Sequence, residues 1–286
     1  MTERKVKQLV GAMAVSEGAG VTVHRSIGLP ALRHLDPFLM LDHFSSDDPD
    51  DYIAGFPDHP HRGFITFTYM LAGRMEHRDS MGNSGVITAG GVQWMKAASG
   101  VIHSEMPKQT DGLMQGFQLW INLPAQHKMS EPAYQEHPAD RIPEVVDDGT
   151  RVKVVAGRYG DTVAPVQDAT TQLTYLHAQV PAGGVWSCPT LADASVFAYV
   201  YDGDAEVAQT KIPAHQLAVF GSGDQIRLHA GEQGARLIVV AGKPIGEPIV
   251  QYGPFVMNTR EEIHDAFTDY ERGRLVRHKA RVNSTA

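Results

Sequence analysis

Residues 63–71 have the sequence Gly-Phe-Ile-Thr-Phe-Thr-Tyr-Met-Leu, and this stretch decides the fold class. Its large apolar side chains recur at every second position, with threonines between them. A period of two on a β-branched and aromatic background predicts a strand with one buried face. The alternating residues are Ile65, Phe67, Tyr69 and Leu71, separated by Thr66 and Thr68.

Short strands at hairpin spacing are predicted downstream of that stretch, separated by turns at Gly73, at 82–85 and at Gly90. Further strands are predicted over 74–78, 86–89, 92–95 and 116–123. After residue 148 the pattern returns, with strands over 172–180, 195–201, 205–208, 217–220, 225–228 and 236–241 and a turn predicted at Asp202-Gly203-Asp204. Closely spaced short strands with glycine turns are typical of a sandwich or barrel.

The two halves are separated by residues 131–148, a stretch rich in proline and acid that lacks periodicity and is interpreted as a crossing linker. Gly73 and Gly203 lie 130 residues apart, which indicates an internal duplication. We therefore predict an all-β protein with an N-terminal barrel over 1–135 and a C-terminal barrel over 136–286.

One short helix is predicted near the C-terminus. Thr259 can cap it, and Glu262 occupies the reciprocal capping-box position. The apolar face would consist of Ile263, Ala266, Phe267 and Tyr270. We expect this helix to pack as a structural clamp.

Composition excludes several classes of function. The chain has 286 residues and a formal net charge of −8, which disfavours direct nucleic-acid binding. Its single cysteine, Cys188, cannot form an internal disulfide, so a cytoplasmic location is expected. Residues 9–15 resemble a signal peptide only faintly and are interpreted as a strand, and no apolar stretch approaches the roughly 20 residues of a membrane helix. A basic C-terminal cluster is interpreted as a solvated tail: Arg272, Arg274, Arg277, Lys279 and Arg281.

Two short motifs carry candidate chemistry. His59-Pro60-His61 and His103-Ser104-Glu105 each place two donors two residues apart, on one face of a strand. Facing strands would bring together three imidazoles and one carboxylate, a ligand set that suits a first-row divalent ion. Among 14 histidines one such pair could arise by chance, but both pairs flanked by strand signals favour a metal site. We predict one ion per chain, Fe²⁺ first, with Mn²⁺, Co²⁺, Ni²⁺ and Zn²⁺ as alternatives.

These motifs belong to a longer series through which the sequence resembles the pirin family, a branch of the cupin superfamily. The matching segments lie in order along the chain: Asp36-Pro37-Phe38-Leu39-Met40-Leu41-Asp42-His43-Phe44, His59-Pro60-His61-Arg62-Gly63-Phe64, Val92-Gln93-Trp94-Met95, Gly100-Val101-Ile102-His103-Ser104-Glu105, Gln118-Leu119-Trp120-Ile121-Asn122-Leu123-Pro124 and Gly253-Pro254-Phe255-Val256-Met257-Asn258-Thr259.

The resemblance implies a bicupin, two antiparallel jelly-roll barrels with a short C-terminal helix, and the same four metal ligands. The general cupin glutamate position holds Ile65 here, which leaves Glu105 as the anionic ligand. The duplication offset places Pro189, Leu191, Gly234 and Arg236 at the equivalent positions, so the second barrel is expected to lack a metal. His177, His215 and His229 are then ordinary polar residues.

Some bacterial members of the family resemble quercetin 2,3-dioxygenases, which implies a flavonol-like aromatic substrate and O₂. Glu105 would then accept the proton of the flavonol hydroxyl. Phe64, Phe67, Trp94 and Met95 are candidates for an aromatic pocket or for ordinary core. The alternative implied by eukaryotic members is a non-catalytic metal- or redox-sensing module that binds a protein partner. No membrane partner is expected.

Overall fold

The structure, a computed structural model, describes residues 1–277. Its strands are β1 (Val6–Gly11), β2 (Met13–Glu17), β3 (Val21–Ile27), β4 (Phe38–Ser46), β5 (Phe56–His61), β6 (Phe64–Ala72), β7 (Arg74–Asp79), β8 (Ser84–Thr88), β9 (Val92–Lys96), β10 (Val101–Pro107), β11 (Met114–Asn122), β12 (Ala133–His137), β13 (Glu144–Asp147), β14 (Thr150–Ala156), β15 (Arg158–Tyr159), β16 (Thr162–Val163), β17 (Thr174–Val180), β18 (Val185–Pro189), β19 (Ser195–Val207), β20 (Thr210–Pro213), β21 (Gln216–Phe220), β22 (Gln225–Gly242), β23 (Val250–Tyr252) and β24 (Phe255–Met257). The helices are α1 (Ala125–Lys128) and α2 (Arg260–Glu271). Over residues 1–277 no helix is long and apolar enough to cross a bilayer.

The described chain forms two compact units, each built around one β-barrel. The N-terminal barrel unit comprises 14–23, 38–139 and 245–277, and the C-terminal barrel unit comprises 1–13, 24–37 and 140–244. The predicted division into 1–135 and 136–286 differs from this at both ends. Residues 1–13 belong with the C-terminal barrel because β1 pairs β21, whereas α2 belongs with the N-terminal barrel.

The N-terminal barrel is made of a seven-stranded sheet, in the order β12-β9-β6-β11-β4-β3-β2, and a four-stranded sheet, β5-β10-β7-β8. As predicted, the odd-numbered residues of 65–69 are buried, but Thr66 and Thr68 are buried too, at 1% exposure each. A methionine-rich core joins Met70 and Met114 on one sheet to Met75 on the other.

The C-terminal barrel is a single nine-stranded sheet. Its two long strands, β19 and β22, pair with different neighbours along their two halves. The predicted turn at Asp202-Gly203-Asp204 is wrong: these residues lie inside β19, where the ladder to β22 is interrupted by bulges. The strands predicted over 225–228 and 236–241 are likewise one strand, β22. Pairing to several neighbours at once keeps both long strands extended despite their glycines.

The linker interpretation of 131–148 also needs correction, because this stretch contains two paired strands. β12 pairs β9 in the N-terminal barrel, and β13 pairs β14 in the C-terminal barrel. Within this stretch the chain therefore passes from one unit to the other at residues 139 and 140.

The two barrels share one pattern of strand pairing, which supports the predicted duplication. In the N-terminal barrel β11 pairs β4 and β6, and β10 pairs β5 and β7. In the C-terminal barrel β22 alone makes the corresponding pairs, with β17, β18 and both ends of β19. Gly73 and Gly203, with φ of 84° and 71°, occupy corresponding points.

The strand pairing shows which residues of the C-terminal barrel are equivalent to the predicted metal ligands, and they differ from those given by the constant offset. His59 lies opposite His103 just as Cys188 lies opposite Ile226, and Glu105 corresponds to Leu228. The constant offset fails because strands and turns differ in length between the two barrels; for example, two residues join β19 to β20, whereas four join β7 to β8. The conclusion drawn from the offset is unchanged, since Cys188, Thr190, Ile226 and Leu228 do not form a ligand set for a metal of this class.

Helix α2 begins as predicted, with the full capping box between Thr259 and Glu262. Ile263 and Ala266 are buried, whereas Tyr270 is 40% exposed. Of the predicted basic tail, Arg277 forms an ion pair with Asp269 at 2.7 Å, so it is not simply solvated. Lys279 and Arg281 lie outside the described residues.

Candidate metal centre

Three of the four predicted ligands converge in the N-terminal barrel. β5 and β10 are antiparallel, and their register sets His59 opposite His103 and His61 opposite Val101. His59 and His61 share a strand face because they are two residues apart. One ring nitrogen of each of the three histidines lies within 4.8 Å of the others. Over residues 1–277, this is the one group of three or more His, Cys, Asp or Glu side chains close enough to share an ion.

The hydrogen bonds of these rings leave the Nε2 atoms for a metal. The Nδ1 atoms lie close to Pro57 O for His59, at 2.8 Å, and to Pro254 O for His61, at 3.4 Å. His103 Nε2 is buried and has no hydrogen-bond partner. A buried polar atom without a partner is costly, and a bound metal would satisfy it. The residues present therefore fit a metal ion.

The electrostatics of the site favour neutral imidazoles, the form that binds metals. Burial lowers the pKa of His61 well below its usual range, and the neighbouring His59 lowers it further. Burial also lowers the pKa of His103, with smaller contributions from His61, His59 and His77. At neutral pH both rings keep a lone pair for coordination.

A fourth histidine, His77, contacts His103 and was not identified from the sequence. His77 Nδ1 is 3.4 Å from His103 Nδ1, and His77 Nε2 is 3.3 Å from Asp79 Oδ2. Asp79 also accepts hydrogen bonds from the Asn83 amide groups, which fix its carboxylate. The signal was available, because His77 and Asp79 have the same two-residue spacing as the ligand pairs.

Glu105, the fourth predicted ligand, is buried on the same face of β10 as His103 but is not part of the histidine group. Its Oε2 accepts a hydrogen bond from Gln118 Nε2 at 2.8 Å. The Thr68 hydroxyl lies 3.1 Å from Glu105 Oε1 and 3.0 Å from Gln118 Oε1, so it can donate to either. The carboxylate is thus held by polar neighbours on β6 and β11.

Aromatic side chains pack against one side of the histidines. The centroid of the His61 ring lies 4.9 Å from that of Phe64 and 5.1 Å from that of Trp120. Of the other aromatic-pocket candidates, Phe67 and Met95 are fully buried and Trp94 is 7% exposed, as expected for core.

A C-terminal strap, residues 253–257, completes the site. Pro254 supplies the carbonyl near His61, and Val256 N donates to Arg62 O at 3.0 Å. The buried Arg62 guanidinium donates to Ser99 O and Leu275 O and pairs with Asp269 of α2 at 2.9 Å. Helix α2 therefore acts as the predicted clamp, on the strap that lies beside His61.

A buried lysine holds the strap from the other side. Lys128 Nζ donates to Gly63 O, Asn122 Oδ1 and Val256 O, so all three of its N–H groups are used. Burial lowers the pKa of Lys128 to about 7. No local motif marks this residue, since its partners lie up to 128 positions away along the chain.

Comparisons with known proteins agree with this geometry. Residues 20–121 match the pirin family model, and residues 175–276 match that of the pirin C-terminal cupin domain. The chain is 48% identical over 277 residues to a pirin-like protein of Caulobacter vibrioides, a match that covers 96% of this chain and 100% of that protein. It is also 48% identical over 281 residues to a putative quercetin 2,3-dioxygenase of Pseudomonas aeruginosa, covering 95% and 98%.

Among solved structures, a crystal structure of quercetin 2,3-dioxygenase from Acinetobacter baumannii superposes with a TM-score of 0.89 at 32% identity. The match covers 96% of this chain and 98% of that chain. The bicupin fold inferred from the resemblance is confirmed, and the chain belongs to the pirin family.

Proposed function

We propose that this protein is a metal-dependent dioxygenase that opens the ring of flavonols with O₂. It would bind one divalent transition metal ion per chain, Fe²⁺ first, through His59, His61, His103 and Glu105. The observation that carries the proposal is the convergence of three histidines with a buried, unpartnered Nε2 at His103. The names of similar proteins, one putative and one a solved quercetin 2,3-dioxygenase, support the choice of reaction.

Each side chain has a distinct role in this proposal. A metal ion bound here would supply Lewis acidity, which lowers the pKa of a coordinating hydroxyl group. The three histidines would hold the ion from β5 and β10. Glu105 would accept the proton of the flavonol 3-hydroxyl, because its carboxylate lies on the same strand face as His103. Thr68 and Gln118 would position that carboxylate through their hydrogen bonds.

The surroundings suit a reaction that must exclude water. Phe64 and Trp120 cover one side of His61, and their ring centroids are 4.3 Å apart. A closed apolar wall strengthens the electrostatic interactions of the groups inside it. We expect the flavonol rings to approach on the side where His59, which is only half-buried, faces outward.

The test is a turnover assay on protein reconstituted anaerobically with Fe²⁺, Mn²⁺, Co²⁺ or Ni²⁺ and then exposed to O₂ and quercetin. We expect loss of the flavonol absorbance together with release of carbon monoxide, and neither with the metal-stripped protein. Retained metal binding without turnover on any flavonol would overturn the enzyme proposal and leave the metal-sensing, partner-binding alternative.

A further inference from the structure

A cavity of about 500 Å³ opens in the C-terminal barrel, inside a single compact unit. Its inner wall is formed by β17, β18 and β22, and its outer part by the segments 157–160 and 167–173. Ligand sites for small molecules commonly have volumes of about 300–1,000 Å³. The cavity is therefore large enough for a molecule of two or three rings.

The cavity lies in the part of its barrel that corresponds to the surroundings of His59 and Gln118 in the other barrel. Across β6, β11 and β4 the N-terminal barrel aligns Thr68, Gln118 and Asp42, and the C-terminal barrel aligns Ala198, Val239 and Leu176 in the same way. Val239 and Leu176 line the cavity. So does Cys188, the counterpart of His59.

At these positions the C-terminal barrel has fewer polar groups and smaller side chains than the N-terminal barrel. Leu176 replaces a carboxylate and Val239 replaces an amide, and each is at most 1% exposed. Ala241 stands where Trp120 fills the N-terminal barrel, which leaves space beside β22. Burial raises the pKa of the Cys188 thiol to about 12, so this position is neutral as well.

Charged groups lie only at the entrance of the cavity. Among its lining residues, Arg158 is exposed and Asp168 is half-exposed. Asp168 accepts hydrogen bonds from the Thr170 and Thr171 amide groups. An ionised ligand would therefore lose its hydration on entering without gaining a partner at the inner wall.

We propose that the C-terminal barrel binds an uncharged, mainly apolar molecule of two or three rings in this cavity. Cys188 and Val239, which correspond to His59 and Gln118 of the candidate metal centre, would contact such a ligand through apolar surface. This inference does not rest on the proposed dioxygenase activity.

The experiment is a fluorescence titration of the full chain with N-phenyl-1-naphthylamine, an uncharged three-ring probe. We expect one saturable site per chain with a dissociation constant on the order of 10–100 µM, given the usual binding efficiency of ligands of this size. Val239→Phe and Ala241→Phe fill the cavity from β22, and each should weaken binding at least about tenfold. A bulky side chain at position 241 is compatible with this strand pairing, because Trp120 occupies the same place in β11.

The matched control is His103→Ala, which removes a predicted metal ligand but leaves the cavity intact and should bind the probe as the wild type does. Methyl-labelled wild-type protein gives a readout that needs no variant, because the probe should shift the Leu176 and Val239 methyl resonances. The proposal is overturned by absence of saturable binding, by unchanged binding in the folded Phe variants, by loss of binding in His103→Ala, or by shifts confined to other methyl groups.

Discussion

The two barrels have the same strand pairing, but the N-terminal barrel has polar side chains at interior positions where the C-terminal barrel has apolar ones. The N-terminal barrel has histidines, a carboxylate and an amide where the C-terminal barrel has Cys188, Leu228 and Val239. Since both sets leave the ladders in place, the pairing does not depend on the residues of the metal centre. This agrees with the proposed chemical role of the polar set, since functional sites commonly depart from the local rule of an apolar core.

The buried polar side chains of the N-terminal barrel need hydrogen-bond partners, whereas the apolar side chains of the C-terminal barrel do not. His77, Asp79 and Gln118 give hydrogen-bond partners to buried site residues, because an unpaired buried polar group costs about 1–3 kcal/mol. The counterparts of His77 and Gln118, Val207 and Val239, are buried and apolar.

The largest effect is expected for His103→Ala, which should lower bound metal from about one equivalent to below a tenth, as determined by elemental analysis. The matched variant Ile226→Ala alters the corresponding position of the C-terminal barrel. It should lower stability by roughly 2–5 kcal/mol through the cavity it creates, yet keep the metal. Two equivalents in the wild type, or one in His103→Ala, would contradict the one-site assignment.

Glu105→Gln should lower flavonol oxidation by about 10²- to 10⁴-fold, the usual value of a positioned general base, while part of the metal is retained. The amide keeps the size of the side chain but cannot accept a proton at neutral pH. The measurement is turnover at matched metal content and saturating O₂. Loss of metal and turnover together would make Glu105 a ligand only, and unchanged turnover would refute its proton-accepting role.

His77→Val copies the C-terminal barrel at Val207 and should weaken metal binding by about 10- to 100-fold, the usual effect of removing a group that orients a ligand. Competition with a chelator of known affinity measures this. The His77→Gln variant, which can still hydrogen-bond to His103, should recover part of the loss. Wild-type affinity in His77→Val would mean that the contact with His103 is only structural.

A smaller effect is expected on the acid stability of the C-terminal barrel. Burial lowers the pKa of His177 to about 3, and Tyr201 Oη lies 2.7 Å from its Nε2. Because the unfolded chain takes up this proton near pH 6.5 and the folded chain does not, stability is lost as the pH falls from about 6.5 towards 3. The slope from this group is at most about 1.4 kcal/mol per pH unit.

The His177→Gln variant should flatten that part of the profile, measured as urea unfolding between pH 6.5 and 4.5. Gln keeps a hydrogen-bonding group for Tyr201 but does not titrate. An unchanged slope in the variant would show that other groups set the acid limit.

The smallest effect is expected from metal removal on folding. Chelation should leave the β-sheet circular dichroism unchanged, because the C-terminal barrel forms the same pairing without a ligand set. Global unfolding after chelation would show that the metal is structural and would weigh against the enzyme proposal.

Sequence reasoning succeeded where a local pattern records the structure. The alternation in 63–71 predicted β6, and the Thr259 and Glu262 pair predicted the start of α2. The two-residue spacing predicted that His59, His61 and His103 lie together. They do so because β5 and β10 are neighbouring strands. The membership of Glu105 in the ligand set stays a prediction.

Sequence reasoning failed where distant contacts decide. Gly203 looked like a turn but lies within β19, since pairing on both sides keeps the strand extended. Arg62 and Lys128 could not be assigned because their partners, such as Asp269 and Val256, are more than 100 residues away. Register shifts from unequal turns misplaced the counterparts of the ligands by one or more residues.

The strap has a consequence for the timing of biosynthesis. His59, His61 and His103 leave the ribosome early. The carbonyl beside His61 belongs to Pro254, however, and the hydrogen-bond partners of Arg62 include Asp269 and Leu275. Residues 140–244, which make up most of the C-terminal barrel unit, are translated between these two groups. The metal centre can therefore reach its final form only after synthesis of both barrels, so full-affinity metal loading is expected to be a late event in the maturation of each chain.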